Sequence, residues 1–168
     1  MTAVHDVAPD PGLDDRADAI YTLSQTPELL QQLVLDVGES RLDIAPVGEW
    51  PARQILAHLL ATEWRVFRVR LERTLAEDQP PVPLFDEHVW AAGYEKQPLE
   101  LGGKIVTDLT IQRAASVRML ENVRDDEWTR AMNHPEYGLF TLDQMLQMWA
   151  NHDNMHLNQL TALLDIGG

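Results

Sequence analysis

The chain contains no cysteine, so it forms no disulfide framework and offers neither a thiolate ligand nor a cysteine nucleophile of its own. It is also poor in positive charge. Thirteen Lys and Arg stand against twenty-seven Asp and Glu, a formal charge of −14 over 168 residues. Such a surface repels phosphate backbones and argues against a nucleic-acid partner. No run approaches the roughly 18 to 20 apolar residues that cross a bilayer. The first residues, Met1 to Asp18, are acidic and interrupted by Pro9, Pro11 and Gly12. Neither a signal peptide nor a membrane span is expected, and a cytoplasmic protein is. The strict alternation of a half-buried strand is missing, as is any repeat of fixed period. G-x-G-x-x-G, Walker and G-x-S-x-G patterns are absent too, which removes the common phosphate-cradling loops and the serine-nucleophile turn.

What the chain does have is helical periodicity and 45% apolar residues, enough for one domain with a substantial core. A flexible acidic arm is expected over residues 1–14, with His5 exposed in it, followed by a single domain over 15–168. Amphipathic helices need mutual burial, so an all-α four-helix bundle is the economical solution.

The first bundle helix is predicted to start at Thr26-Pro27-Glu28, an N-cap, a first-turn proline and a first-turn acid. It presents Leu29, Leu30, Leu33, Val34 and Val37. Whether the short helical pattern from Asp15 to Leu23 joins it through a kink stays open. The second helix follows Pro51 and runs to about Glu77. Its stripe is Ile55, Leu59, Thr62, Val66 and Val69, widened by Leu56, Leu60, Phe67 and Leu71. Asp78 to Gly103 forms a long connector between helices two and three, read as a lid. A short helical turn is expected there from Phe85 to Trp90, with Phe85, Val89 and Trp90 as anchors and His88 on the wet side. The third helix spans Lys104 to Asn122 through Ile105, Leu109, Ile111, Ala115, Val117, Met119 and Leu120. His134 to Gly138 reads as a compact loop in which His134 has no ligand role. Thr141 and Gln144 make a capping-box pattern that opens the last helix, Leu142 to Leu164.

That last helix carries the chemistry. Leu142, Met145, Trp149, His152, His156, Leu160 and Leu163 recur three or four residues apart, so both histidines share the apolar stripe. Two inward imidazoles without partners would each cost desolvation, which a bound metal ion would remove. His58 lies on or beside the buried stripe of the second helix, one turn after Ile55 and one turn before Thr62. Together the three histidines make a facial ligand set that leaves positions open for water or substrate, the arrangement of a catalytic metal site. Imidazole nitrogen suits a divalent ion, Zn or Ni first and Fe after them. Asp153 occupies the place that glutamate holds in the HExxH pattern. It reads either as a surface acid of the helix or as a group at the site, a base or an acceptor of a hydrogen bond from an imidazole, with Thr62, Glu63, Asn151 and Gln159 as further supporting candidates.

Four short stretches carry a resemblance to a known family. They are Thr26-Pro27-Glu28-Leu29, the run from Trp50 to Leu59 with His58, and Gly138 to Leu142 followed by His152 to Gln159. In these the chain resembles the DinB-like, or YfiT-like, metal-dependent hydrolase superfamily over most of its length outside the acidic arm. One departure is Pro51, where many members have a Ser or Thr helix cap. The resemblance implies a four-helix bundle with His58, His152 and His156 around a divalent metal, commonly as a homodimer. It also implies relatives that use low-molecular-weight thiols such as bacillithiol or mycothiol. The expected function is a metal-dependent enzyme, a hydrolase or a thiol S-transferase, acting on a small molecule. The rival reading is a non-catalytic structural or small-ligand-binding bundle, with a buried histidine cluster and with Phe85 and Trp90 at an assembly or ligand contact.

Overall fold

The computed structural model describes residues 16–164; the acidic arm and His5 lie outside them. Six α-helices and one hairpin make up the described chain. They are α1 (Arg16–Val37), α2 (Ala52–Thr62), α3 (Arg68–Ala76), α4 (Glu87–Tyr94), α5 (Gly102–Glu121) and α6 (Leu142–Leu164), with strands β1 (Ala131–His134) and β2 (Gly138–Thr141) before α6. A π-helical segment, Glu63–Phe67, joins α2 to α3, so these two act as one long rod. The bundle consists of α1, the α2–α3 rod, α5 and α6. Both α1 and α2 pack against α5 and against α6, which sets the third helix beside the first and across from the fourth. None of the helices among the described residues is long and apolar enough to cross a membrane.

Two apolar clusters fill the bundle, one toward each end. One gathers Leu23, Phe67, Leu120, Met145 and Trp149 with the hairpin residues Met132 and Phe140. The other gathers Leu30, Ile55, Leu59, Leu109 and Leu160. Every bundle helix carries polar residues between its contributions to the two clusters. These are Thr26 on α1, Thr62 and Glu63 on the rod, Arg113 and Ser116 on α5, and His152, Asp153 and His156 on α6, all buried. The result is a polar layer across the waist of the bundle.

Several sequence expectations hold. The capping box forms: the Thr141 backbone N–H donates to Gln144 Oε1 at 3.0 Å, and the Gln144 N–H donates to Thr141 Oγ1 at 3.1 Å. The last helix has the expected bounds, and the long connector between the rod and α5 is present with His88 exposed.

Others need correction. The first helix does not begin at Thr26; it runs unbroken from Arg16 through Pro27. A proline inside a helix leaves the carbonyl four residues earlier without its N–H. That carbonyl is Leu23 O, and it accepts instead from Arg113 Nη1 at 2.8 Å. Residues 131–141 are not loop alone but a hairpin pairing His134 with Gly138 and Ala131 with Thr141. Its three-residue turn closes on Gly138 at φ 67°, the left-handed residue such turns use. Four-residue strands are too short for alternation to show. In the long connector, α4 makes two turns, Val89 is exposed, and Glu87 is buried in its place. On α5 the buried face is Ile105, Val106, Leu109, Arg113, Ser116 and Leu120, whereas Ile111 and Ala115 face solvent. Val69 also faces outward. The extra residue of the π turn rotates the later helix by about 100°, the step of one residue.

Candidate metal centre

His58 sits in the middle of α2, with His152 and His156 one turn apart on α6, and all three are buried. The rings meet. His58 and His156 lie 4.9 Å apart between centroids, His152 and His156 4.6 Å, and His58 and His152 5.5 Å. One nitrogen from each falls within 4.8 Å of the others, the one such grouping among the described residues. His152 Nε2 and His58 Nε2 are 3.4 Å apart. Two nitrogens each bonded at about 2.0–2.1 Å to one ion near the tetrahedral angle would lie roughly 3.3 Å apart.

The orientation of His156 is explicit. Its Nδ1 lies 2.9 Å from Gln159 Oε1, which can only accept there, so Nδ1 carries the proton and Nε2 presents a lone pair. Nε2 is buried and has no hydrogen-bond partner among the described residues. Burial lowers the His156 pKa below the usual imidazole range, against the opposing pull of the Gln159 hydrogen bond and the Asp153 charge. A neutral imidazole with a lone pair aimed inward is a metal ligand in waiting. The donor set therefore fits a divalent ion.

Beside the histidines lies a buried ion network. Arg113 donates to Asp153 Oδ2 and Oδ1 at 2.5 and 3.1 Å, to Glu63 Oε2 at 2.9 Å and to Leu23 O at 2.8 Å. Its guanidinium also sits 5.6 Å from the Trp149 ring centre. Burial works to lower the Arg113 pKa, but the Asp153 and Glu63 carboxylates outweigh it and the net shift is upward. One cation against two carboxylates leaves this network one negative charge in excess. Of the supporting candidates, Gln159 reaches an imidazole and Glu63 reaches Arg113. Thr62 Oγ1 donates to His58 O and Leu59 O at 3.0 and 3.2 Å, holding backbone and not a ring. Asp153 turns to Arg113.

Arg113 escaped the sequence reading because its charge masked its place in the stripe. Its spacing from Leu109 and Ser116 was the available signal. Trp50 was likewise missed as a site residue. Its ring lies 5.2 Å from His58, Trp90 lies 5.1 Å away and Phe85 6.1 Å, so Phe85 and Trp90 of the long connector sit beside the site. Beyond this aromatic wall, between α2 and α4, opens a cleft of about 570 Å³ lined by Leu60, Trp64, Phe85, Trp90, Tyr94 and Ile105 among others.

Residues 22–160 match the family model of the DinB superfamily. The chain belongs to that superfamily. Among its relatives is a "putative metal-dependent hydrolase" of Oceanobacillus iheyensis, 27% identical over 146 residues that cover 86% of this chain and 83% of the relative. YfiT of Bacillus subtilis, which bears the same description, is 25% identical over 86% of this chain and 81% of its own. The solved structure of YfiT, a four-helix bundle of "unusual" topology, matches with a TM-score of 0.75 at 22% identity, covering 93% of this chain and 92% of that one. The DinB fold and a three-histidine cluster suited to a metal ion are thus both present.

Proposed function

We propose that the protein is a metal-dependent enzyme acting on a small organic molecule, with His58, His152 and His156 holding one divalent ion, Zn or Ni first and Fe after them. The observation that carries this reading is the convergence of three buried imidazole nitrogens, one of which, His156 Nε2, has no other partner among the described residues. The hydrolase descriptions of the relatives support it. An ion held by His58, His152 and His156 would supply Lewis acidity, enough to make a water or a thiol nucleophilic near neutral pH.

The chain's own residues do the rest. Gln159 fixes the His156 tautomer. Arg113 keeps Asp153 as a buried counter-charge next to His152, so Asp153 stabilises a cationic centre electrostatically and does not shuttle protons. Phe85, Trp90 and Trp50 exclude water from the His58 side. Hydrolysis is the leading reaction. Transfer to an external low-molecular-weight thiol is the second reading, favoured by the engagement of Asp153 with Arg113, because a thiol needs no carboxylate base once its proton is acidified.

Elemental analysis of purified wild type and of a His152→Ala/His156→Ala variant tests the proposal. About one divalent ion per folded wild-type chain and none in the variant is the expected result. A folded, metal-free wild type would end it.

A further inference from the structure

The cleft beyond the aromatic wall has one polar feature that its own structure does not explain. Tyr94 is a residue of the cleft lining, and its Oη is buried with no hydrogen-bond partner among the described residues. A hydroxyl taken from water and left unpaired is destabilising, so such a group calls for a partner that arrives from outside. The phenol does not ionise to solve the problem, since burial raises its pKa against the pull of Arg53. Its ring stacks on Trp90 at 5.4 Å with the planes 21° apart, and Trp90 meets the edge of His58 at 5.1 Å. The cleft wall therefore runs from Tyr94 to a candidate metal ligand in two ring-to-ring steps.

From this continuity we infer that the cleft is the subsite for the body of the substrate, a non-anionic, ring-bearing organic molecule with a hydrogen-bond acceptor at the end remote from the reacting group, and that Tyr94 is the donor that reads that acceptor. The inference rests on the metal reading above and adds the substrate class to it. The lining is aromatic and aliphatic along Leu60, Trp64, Phe85, Trp90 and Ile105, which favours flat apolar surface, while Arg65, Asp86 and Glu100 add two acids against one base to its rim and disfavour an anion. A chain with a formal charge of −14 also repels anions approaching it. The volume, about 570 Å³, falls within the range of roughly 300–1,000 Å³ typical of small-molecule sites. Because Phe85 and Trp90 stand between the cleft and the histidines, α4 must shift when the reacting group passes to the metal. Binding and lid movement are then one event.

Three hydroxamic acids titrated into the metal-loaded protein by calorimetry test this. Acetohydroxamic acid offers only the metal-binding head, 2-naphthohydroxamic acid adds the ring body, and 6-acetyl-2-naphthohydroxamic acid adds the remote acceptor. The expected order is at least tenfold tighter binding on adding the ring and several-fold more on adding the acetyl group. Tyr94→Phe should erase the acetyl gain and leave the other two affinities unchanged. If the naphthyl probe binds no better than acetohydroxamic acid, or if Tyr94→Phe weakens all three probes equally, the subsite is overturned while the metal reading stands. If the protein takes up no metal and acetohydroxamic acid does not bind, both fall together.

Discussion

Arg113 is gripped from three helices and a π turn: its own α5, Asp153 on α6, Leu23 O on α1 and Glu63 on the rod. Truncating one partner of a buried ion network leaves charges without compensation, a loss of about 3–5 kcal/mol. Arg113→Ala is expected to lose stability of that order in urea denaturation, with Arg113→Lys intermediate because an ammonium cannot reproduce the guanidinium fork. A loss under about 1 kcal/mol for the alanine variant would show that the network is not what ties the helices together. His134 makes a different claim. Its Nδ1 accepts from the Glu136 and Tyr137 backbone N–H groups at 3.2 and 3.4 Å, and burial, helped by the nearby Arg70 charge, lowers its pKa from 6.5 to about 4. Above pH 6.5 the ring is neutral both folded and unfolded. As the pH falls below that value the unfolded chain takes up a proton that the folded chain refuses, so stability is lost between 6.5 and about 4, at up to roughly 1.4 kcal/mol per pH unit. His134→Asn keeps an acceptor without a titrating group. Its denaturation midpoint should vary less with pH across that window than the wild-type midpoint, and parallel curves would refute the assignment.

At the scale of elements, helix α5 begins in a crowded corner. The Gly102 and Gly103 N–H groups donate to the two Glu39 carboxylate oxygens at 3.0 and 3.1 Å, and Arg53 donates to Glu39 Oε2 at 2.7 Å. A Cβ on Gly102 would stand 2.3 Å from Leu42 Cδ1, inside the core. Gly102→Ala is therefore expected to lower thermal stability by about 1–3 kcal/mol, the usual cost of overpacking, and a variant as stable as wild type would show that Leu42 swings aside freely. The same scale shows what the sequence could disclose. The capping box, the fourth helix and the inward histidines were legible because cap chemistry and a 3.6-residue period are local signals. The passage of α1 through Pro27 was not, because the group that rescues Leu23 O lies on α5. The π turn was equally hidden: it moves Val69 outward without leaving any mark in composition. Residue 113 is a charged position in an apolar stripe, and only its partners on other helices explain why it is buried.

The whole molecule is a bundle divided by a polar waist. Burying three imidazoles and an ion network between two apolar clusters gives up packing that apolar residues would supply, and such a layer earns its place when something binds to it. Since a divalent ion would bind only the folded arrangement of ligands drawn from two helices, it adds stability by mass action, about 2.7 kcal/mol when free metal is a hundredfold above its dissociation constant. For a chain of this length that corresponds to a rise in Tm of roughly 5–10 °C. Scanning calorimetry of chelator-treated protein before and after adding Zn or Ni should show that rise and should show none in the His152→Ala/His156→Ala variant. Equal midpoints with and without metal in the wild type would separate the waist from any metal role.

The π segment carries a consequence for how such chains diversify. It holds one residue more than a regular helix needs between Thr62 and Arg68, so losing a single codon there would leave His58 in place. Everything after it would swing by about 100°, carrying Arg70, Leu71 and Thr74 out of the interior. One insertion or deletion is enough to re-register the half of the rod that packs on the hairpin, while the metal-facing half keeps its geometry and remains free to evolve on its own.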